Sequence, residues 1–151
     1  MTPLIIKKSI LINAPLSKVW KVLTKPEFTR QYMFGCDVVS DWMQGSSIEW
    51  KGLQDRNETV YIKGWIISVD PEKHVSYSTF DPQGGLPDIP ENYLNVTYDL
   101  ASKKDKTQLT ITQGDFSAVT EGPERYSESL KGWELTLADI KVVAESEETE
   151  C

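Results

Sequence analysis

This chain of 151 residues holds one histidine, His74, and two cysteines, Cys36 and Cys151. One imidazole and two thiols far apart in the chain cannot assemble the nitrogen and sulfur shell that zinc takes. No D-x-D-x-D-G calcium loop occurs either, so no metal is expected. Phosphate-cradling glycine patterns are missing, and no cofactor is expected. The G-x-S-x-G turn that presents a nucleophilic serine is absent too. No apolar run approaches 18 residues, which argues against a membrane span. Lys and Arg number 16 against 23 Asp and Glu, and the densest basic group, Lys103, Lys104 and Lys106, is interrupted by Asp105. A nucleic-acid partner is therefore not expected.

The formal net charge of −7 is concentrated at one end. Glu145, Glu147, Glu148 and Glu150 lie in the last seven residues, which carry no Lys or Arg. The division expected is one domain over 1–144 and an acidic, disordered tail over 145–151. Cys151 falls in that tail, so a structural disulfide with Cys36 is not expected. The first twelve residues read as a strand and not as a positively led signal peptide. Free thiols and that start predict a cytoplasmic setting.

What the chain does have is periodicity. From Tyr126 the apolar residues fall at Tyr126, Leu130, Trp133, Leu137, Ile140 and Ala144, which keeps one face of a helix apolar for about six turns. Glu121-Gly122-Pro123-Glu124 supplies its start, since proline suits the first turn and acids suit the positive end. Residues 4–13 alternate as a strand, with Ile6, Ile10 and Ile12 on one face and Ile5 and Leu11 on the other. Ser17 is the expected cap of a short helix bearing Val19, Trp20, Val22 and Leu23. Pro26-Glu27 opens a second helix carrying Phe28 and Tyr32, and Gly35 ends it. Strands follow at about 37–42, 47–53, 58–70, 73–81, 92–101 and 106–115, broken by turn residues. The order is that of an α+β domain, its long helix laid on one face of a curved antiparallel sheet with a hollow between them. The connection 81–90 holds three prolines and two glycines. It is a surface loop, or a lid over the mouth of that hollow.

Five tryptophans and six tyrosines are the main chemical signal. Trp42, Trp50, Trp65, Tyr77, Tyr98 and Trp133 fall on the expected strands or on the covering helix. Each one alone is most simply core, because truncating a buried aromatic costs about 3–5 kcal/mol. As a set they form a candidate apolar ligand site with a few polar handles. Tyr126, nearer the mouth, and Leu137 complete the candidate residues, and Trp133 at the middle of the stripe is the strongest. His74 follows a turn, away from the hollow, and reads as an exposed structural residue. Glu49, Asp115 and Glu134 are the carboxylates nearest the site, with outward orientation as the default because buried unpaired charge is costly. No catalytic residue is assigned.

Together these pieces resemble a family. Asn13-Ala14-Pro15, Val19-Trp20, Leu23-Thr24 and Pro26-Glu27 resemble the "APxxxVWxxLTxPE" opening of the heat-shock protein 90 ATPase activator family, within the START-like (SRPBCC) superfamily. Gly45 with Ile48-Glu49-Trp50, Gly64 with Val69-Asp70-Pro71, Thr107 with Leu109-Thr110, and Gly132-Trp133 follow in the family's order, so the likeness runs from about residue 4 to 142. It implies the helix-grip fold: a sheet of six or seven antiparallel strands, two short N-terminal helices and a long C-terminal helix over a cavity. Members include lipid carriers, hormone receptors and cyclases, so fold alone names no activity. The eukaryotic chaperone activators carry a further N-terminal domain, for which this chain leaves no room. The function expected is binding of a small hydrophobic or aromatic ligand. The alternatives are a chaperone-associated interaction module or a cavity enzyme such as a cyclase. A homodimer through an edge strand is open.

Overall fold

A computed structural model describes residues 3–33, 35–54 and 56–146. Seven strands form a single antiparallel sheet: β1 (Ile6–Ile12), β2 (Asp37–Ser40), β3 (Ser47–Gln54), β4 (Asn57–Asp70), β5 (His74–Thr79), β6 (Leu94–Lys103) and β7 (Lys106–Gly114), in the order β1-β7-β6-β5-β4-β3-β2. Between β1 and β2 lie helices α1 (Leu16–Thr24) and α2 (Pro26–Tyr32), and α3 (Gly122–Glu145) closes the chain. The fold is α+β, a curved sheet gripping a long helix.

Strand alternation decides which face is covered. In β7 the buried residues are Thr107, Leu109, Ile111 and Gln113, and in β6 they are Leu94, Val96, Tyr98 and Leu100. These meet Trp133, Leu137, Ile140 and Ala144 of α3, the residues of the apolar stripe, with Thr136 and Val143 buried beside them. Twenty-four helical residues span about 36 Å, and α3 lies closest to β1, α1, α2 and the Phe116–Ala118 turn, with few if any close approaches to β3 or β4. The helix thus roofs one half of the concave face and leaves the other half to smaller elements.

Several local expectations need correction. Pro15, not Ser17, is the N-cap of α1, and no side chain caps it. Its backbone is extended at φ −74°, and its carbonyl accepts from the N–H groups of Lys18 and Val19. A proline already held near that φ starts the helix, so no serine cap is needed. Strand β2 stops at Ser40, and Trp42 occupies a left-handed turn at φ 57°. Glu145, grouped above with the tail, is the last residue of α3. Its carboxylate accepts from the Asn13 N–H at 2.7 Å and pairs with Lys141, and these bonds hold it below its ordinary value. It locks the helix end onto the β1–α1 junction. Residues 147–151, including Cys151, lie outside the described residues.

Where strands cross tightly, space is the constraint. A Cβ at Gly64 would sit 1.8 Å from the Ser78 carbonyl oxygen, whereas one at Gly132 would meet nothing within 4 Å. Gly64→Ala must therefore part β4 from β5, and a loss of about 2–4 kcal/mol is expected in urea unfolding. Gly132→Ala, by contrast, should stabilise α3 by roughly 0.5–1 kcal/mol in the same measurement.

Candidate functional site

The uncovered half of the sheet borders three adjoining hollows. The most apolar, about 480 Å³, is walled by Met33 just after α2, Cys36, Trp50 of β3, Tyr61 and Ile62 of β4, and Asp81 and Gln83 from the loop after β5. A second, about 370 Å³, shares Ile62 and Asp81 and continues past Phe80, Leu86 and Leu94 to Gln113 and the first turns of α3, where Glu121, Arg125, Glu128 and Ser129 line it. A third, about 180 Å³, joins them through Met33, Gln113 and Ser129 and ends beneath Gly132, Trp133 and Thr136. The shared walls make this one groove with an apolar end and a polar, acid-rich end. Each of the two larger hollows has the volume of an ordinary small-molecule site.

The aromatic residues divide between groove and core. Trp50 and Trp133 line the groove. Tyr77 and Tyr98 do not: both are fully buried, their rings edge to face at 5.8 Å and their hydroxyls bonded at 3.0 Å. Burial pushes the Tyr98 phenol up to about 12 and the Tyr77 phenol well above its usual range, so both stay neutral. Leu137, on the inner face of α3, is core as well. Tyr126 is half-buried edge to face against Phe116, away from the groove. Trp42 packs partly buried at the β2–β3 turn. Trp65 points outward and is 45% exposed, because its neighbour Ile66 takes the inward position next to a β-bulge.

Trp65 has a different partner. It packs on Tyr93 at 5.0 Å, and Tyr93 stacks on Phe80, also at 5.0 Å. Lys63 lies over the Phe80 ring and forms an ion pair at 2.6 Å with Asp88, whose other oxygen accepts from the Tyr93 hydroxyl at 2.7 Å. The Lys63 bond, followed by the Tyr93 bond, holds Asp88 below its ordinary value. This clasp fastens the 81–93 loop to β4, and that loop sets Asp81, Gln83 and Leu86 on the groove edge.

Several groove residues carry no periodic sequence signal. Met33 and Cys36 follow a helix end, and Gln83 sits in a loop. Gln113 is different: the run Thr107, Leu109, Ile111, Gln113 places a polar amide at an inward position, which alternation along β7 alone reveals. Its Oε1 accepts from the Trp133 indole N–H at 2.7 Å. Burial, and then neighbouring Asp37, push the Cys36 thiol up, which favours a neutral, unreactive thiol.

The other singled-out residues lie elsewhere. His74 bonds Asp99 at 2.7 Å and Ser68 at 2.9 Å, apart from the groove. Ser68, His74 and Asp99 thus stand in the order of a hydrolase triad but line none of the three hollows. Glu49 pairs with Lys51 and Glu134 with Lys8. Asp115 accepts from the Leu4 and Ser117 N–H groups and the Ser117 hydroxyl, bonds that hold it below its ordinary value. Among the described residues no helix is long and apolar enough to cross a membrane.

A curved seven-stranded sheet, two short helices and a long terminal helix over a groove define a START-like, helix-grip protein. The chain belongs to the family described as Activator of Hsp90 ATPase homolog 1-like protein, whose model matches residues 13–145. It is 38% identical to ChR145 from Cytophaga hutchinsonii, with 93% of this chain and 94% of that one covered at a TM-score of 0.76. The Aha1 dimer from Colwellia psychrerythraea shares the fold at 17% identity, with 99% and 100% covered and a TM-score of 0.72. DynU16, from the dynemicin biosynthetic locus, does so at 15% identity, with 94% of this chain and 47% of that one covered and a TM-score of 0.73. No curated protein matches the sequence significantly.

The clasp makes one result predictable. Asp88→Ala removes both the Lys63 ion pair and the Tyr93 hydroxyl bond. Hydrogen-exchange mass spectrometry should then show faster exchange across 81–93, with β6 and β7 unchanged.

Proposed function

We propose that this protein binds a small, apolar or aromatic molecule in the groove beside α3. The observation that carries this reading is the hollow of about 480 Å³ walled by Met33, Cys36, Trp50, Tyr61 and Ile62. Apolar surface left facing such a space is worth about 25 cal/mol per Å² once a ligand removes it from water. A ring system sliding between Trp50 and Tyr61 gains that energy with little rearrangement of the wall. The 81–93 loop, held by the Asp88 clasp, is the natural door.

The phenols of Tyr77 and Tyr98 and the thiol of Cys36 are held neutral by burial, so none is a ready base or nucleophile. That arrangement suits holding a molecule better than transforming it. The family name and the exposed Leu135 and Val142 on the outer side of α3 favour a second reading, a chaperone-associated module. Failure of the immobilised protein to retain heat-shock protein 90 would count against that reading.

The binding reading is tested by filling the groove. Ile62 lines both larger hollows and is only partly buried, so Ile62→Trp adds bulk there without opening the core. Binding of a neutral naphthalene probe, followed by tryptophan fluorescence, is expected to weaken at least about tenfold while far-UV circular dichroism stays unchanged. Unaltered affinity would place the probe elsewhere and contradict the proposal.

A further inference from the structure

The polar lining of the groove restricts what can occupy it. Gln113 is 9% exposed and borders both the hollow at the start of α3 and the one beneath Trp133. An indole N–H is a donor and never an acceptor. The 2.7 Å bond from Trp133 Nε1 therefore fixes which end of the Gln113 amide is the oxygen. The Nε2 group, with two donor hydrogens, is left on the other side. Every fully buried side-chain nitrogen or oxygen among the described residues has a hydrogen-bond partner. Gln113 Nε2 has no protein acceptor among them, so it is not sealed in the core. It faces the groove that its side chain lines.

The charges around it narrow the choice further. Asp81, Glu121 and Glu128 border the same hollow as Gln113, against one cation, Arg125. An anionic ligand would meet more like charge than opposite charge there, and the apolar wall at Trp50 and Tyr61 offers nothing to a carboxylate or sulfonate. We infer that Gln113 is the orienting residue of the groove, donating through Nε2 to a carbonyl-type oxygen on an uncharged, apolar, ring-sized ligand. Trp133 is its positioning partner, since its indole N–H holds the amide in the donating orientation. The inference deepens the binding reading above and rests on it.

Matched naphthalenes separate the two claims. 2-Acetylnaphthalene carries an acceptor oxygen, 2-ethylnaphthalene has none, and 2-naphthoate is anionic. Titrated into the full chain and followed by tryptophan fluorescence and isothermal calorimetry, the acetyl compound should bind about tenfold more tightly than the ethyl compound, and the naphthoate weakest. Gln113→Glu keeps an acceptor for Trp133 but replaces the donor, and should abolish the preference for acetyl over ethyl. Gln113→Leu should do the same, with near-UV circular dichroism reporting whether the core stays packed. If all three probes bind but the wild type treats acetyl and ethyl alike, the role of Gln113 is overturned while the groove reading stands. If no probe binds, the groove reading falls and takes this one with it. The comparison within the wild type needs no variant to fold.

Discussion

One hydrogen bond under the long helix sets the geometry of everything around it. A buried indole N–H without a partner is costly, and the Trp133 donor has Gln113 Oε1 at 2.7 Å. That bond fixes the roll of α3 over β7. The apolar stripe then lies over β6 and β7, with α3 close to β1, α1 and α2, and the preceding face, with Arg125, Glu128 and Ser129, turns toward the open half of the sheet. Tyr98, edge to face with Trp133 at 6.1 Å, supports the indole from below. A helix rolled further would bury those charged residues or expose Ile140. The groove is thus a consequence of seating one large donor correctly.

The rest of the architecture tolerates this half-covered sheet because smaller parts close its edges. Glu145 ties the far end of α3 to Asn13, and Asp115 ties the β7 exit to Leu4. The Asp88 clasp holds the longest loop against β4. Each anchor is a carboxylate bonded by several donors, and those bonds hold each below its ordinary value. They fasten the frame and leave the Trp50–Tyr61 wall free of polar demands.

Much of the fold was legible because it is written in periods of two and near four. The α3 stripe names four buried residues in the order in which the sheet meets them, and all six meander strands start and end within two residues of where alternation and turn residues put them. Trp65 shows where the reading stops. The bulge between Ile66 and Ser68 breaks β4's register against β5, so outward and inward positions could not be followed by counting. Tyr77 and Tyr98 were legible as inward but not as core instead of groove, because that depends on how α3 rolls. Met33, Cys36 and Gln83 sit at chain turns, where no period exists to read. Gln113 was readable in principle, as the one amide in an inward series of Thr107, Leu109 and Ile111.

Membership of the activator-like family fixes the scaffold and leaves the occupant to the particular side chains, and here those are an apolar wall at Trp50 and Tyr61, the Gln113 amide beneath α3 and an acidic rim. The most direct measurement is an NMR titration that follows the five tryptophan indole N–H signals against 2-acetylnaphthalene. Selective, saturable shifts at Trp50 and Trp133, with Trp65 undisturbed, are the result this account predicts. Shifts confined to Trp65, or none at any indole, would contradict it.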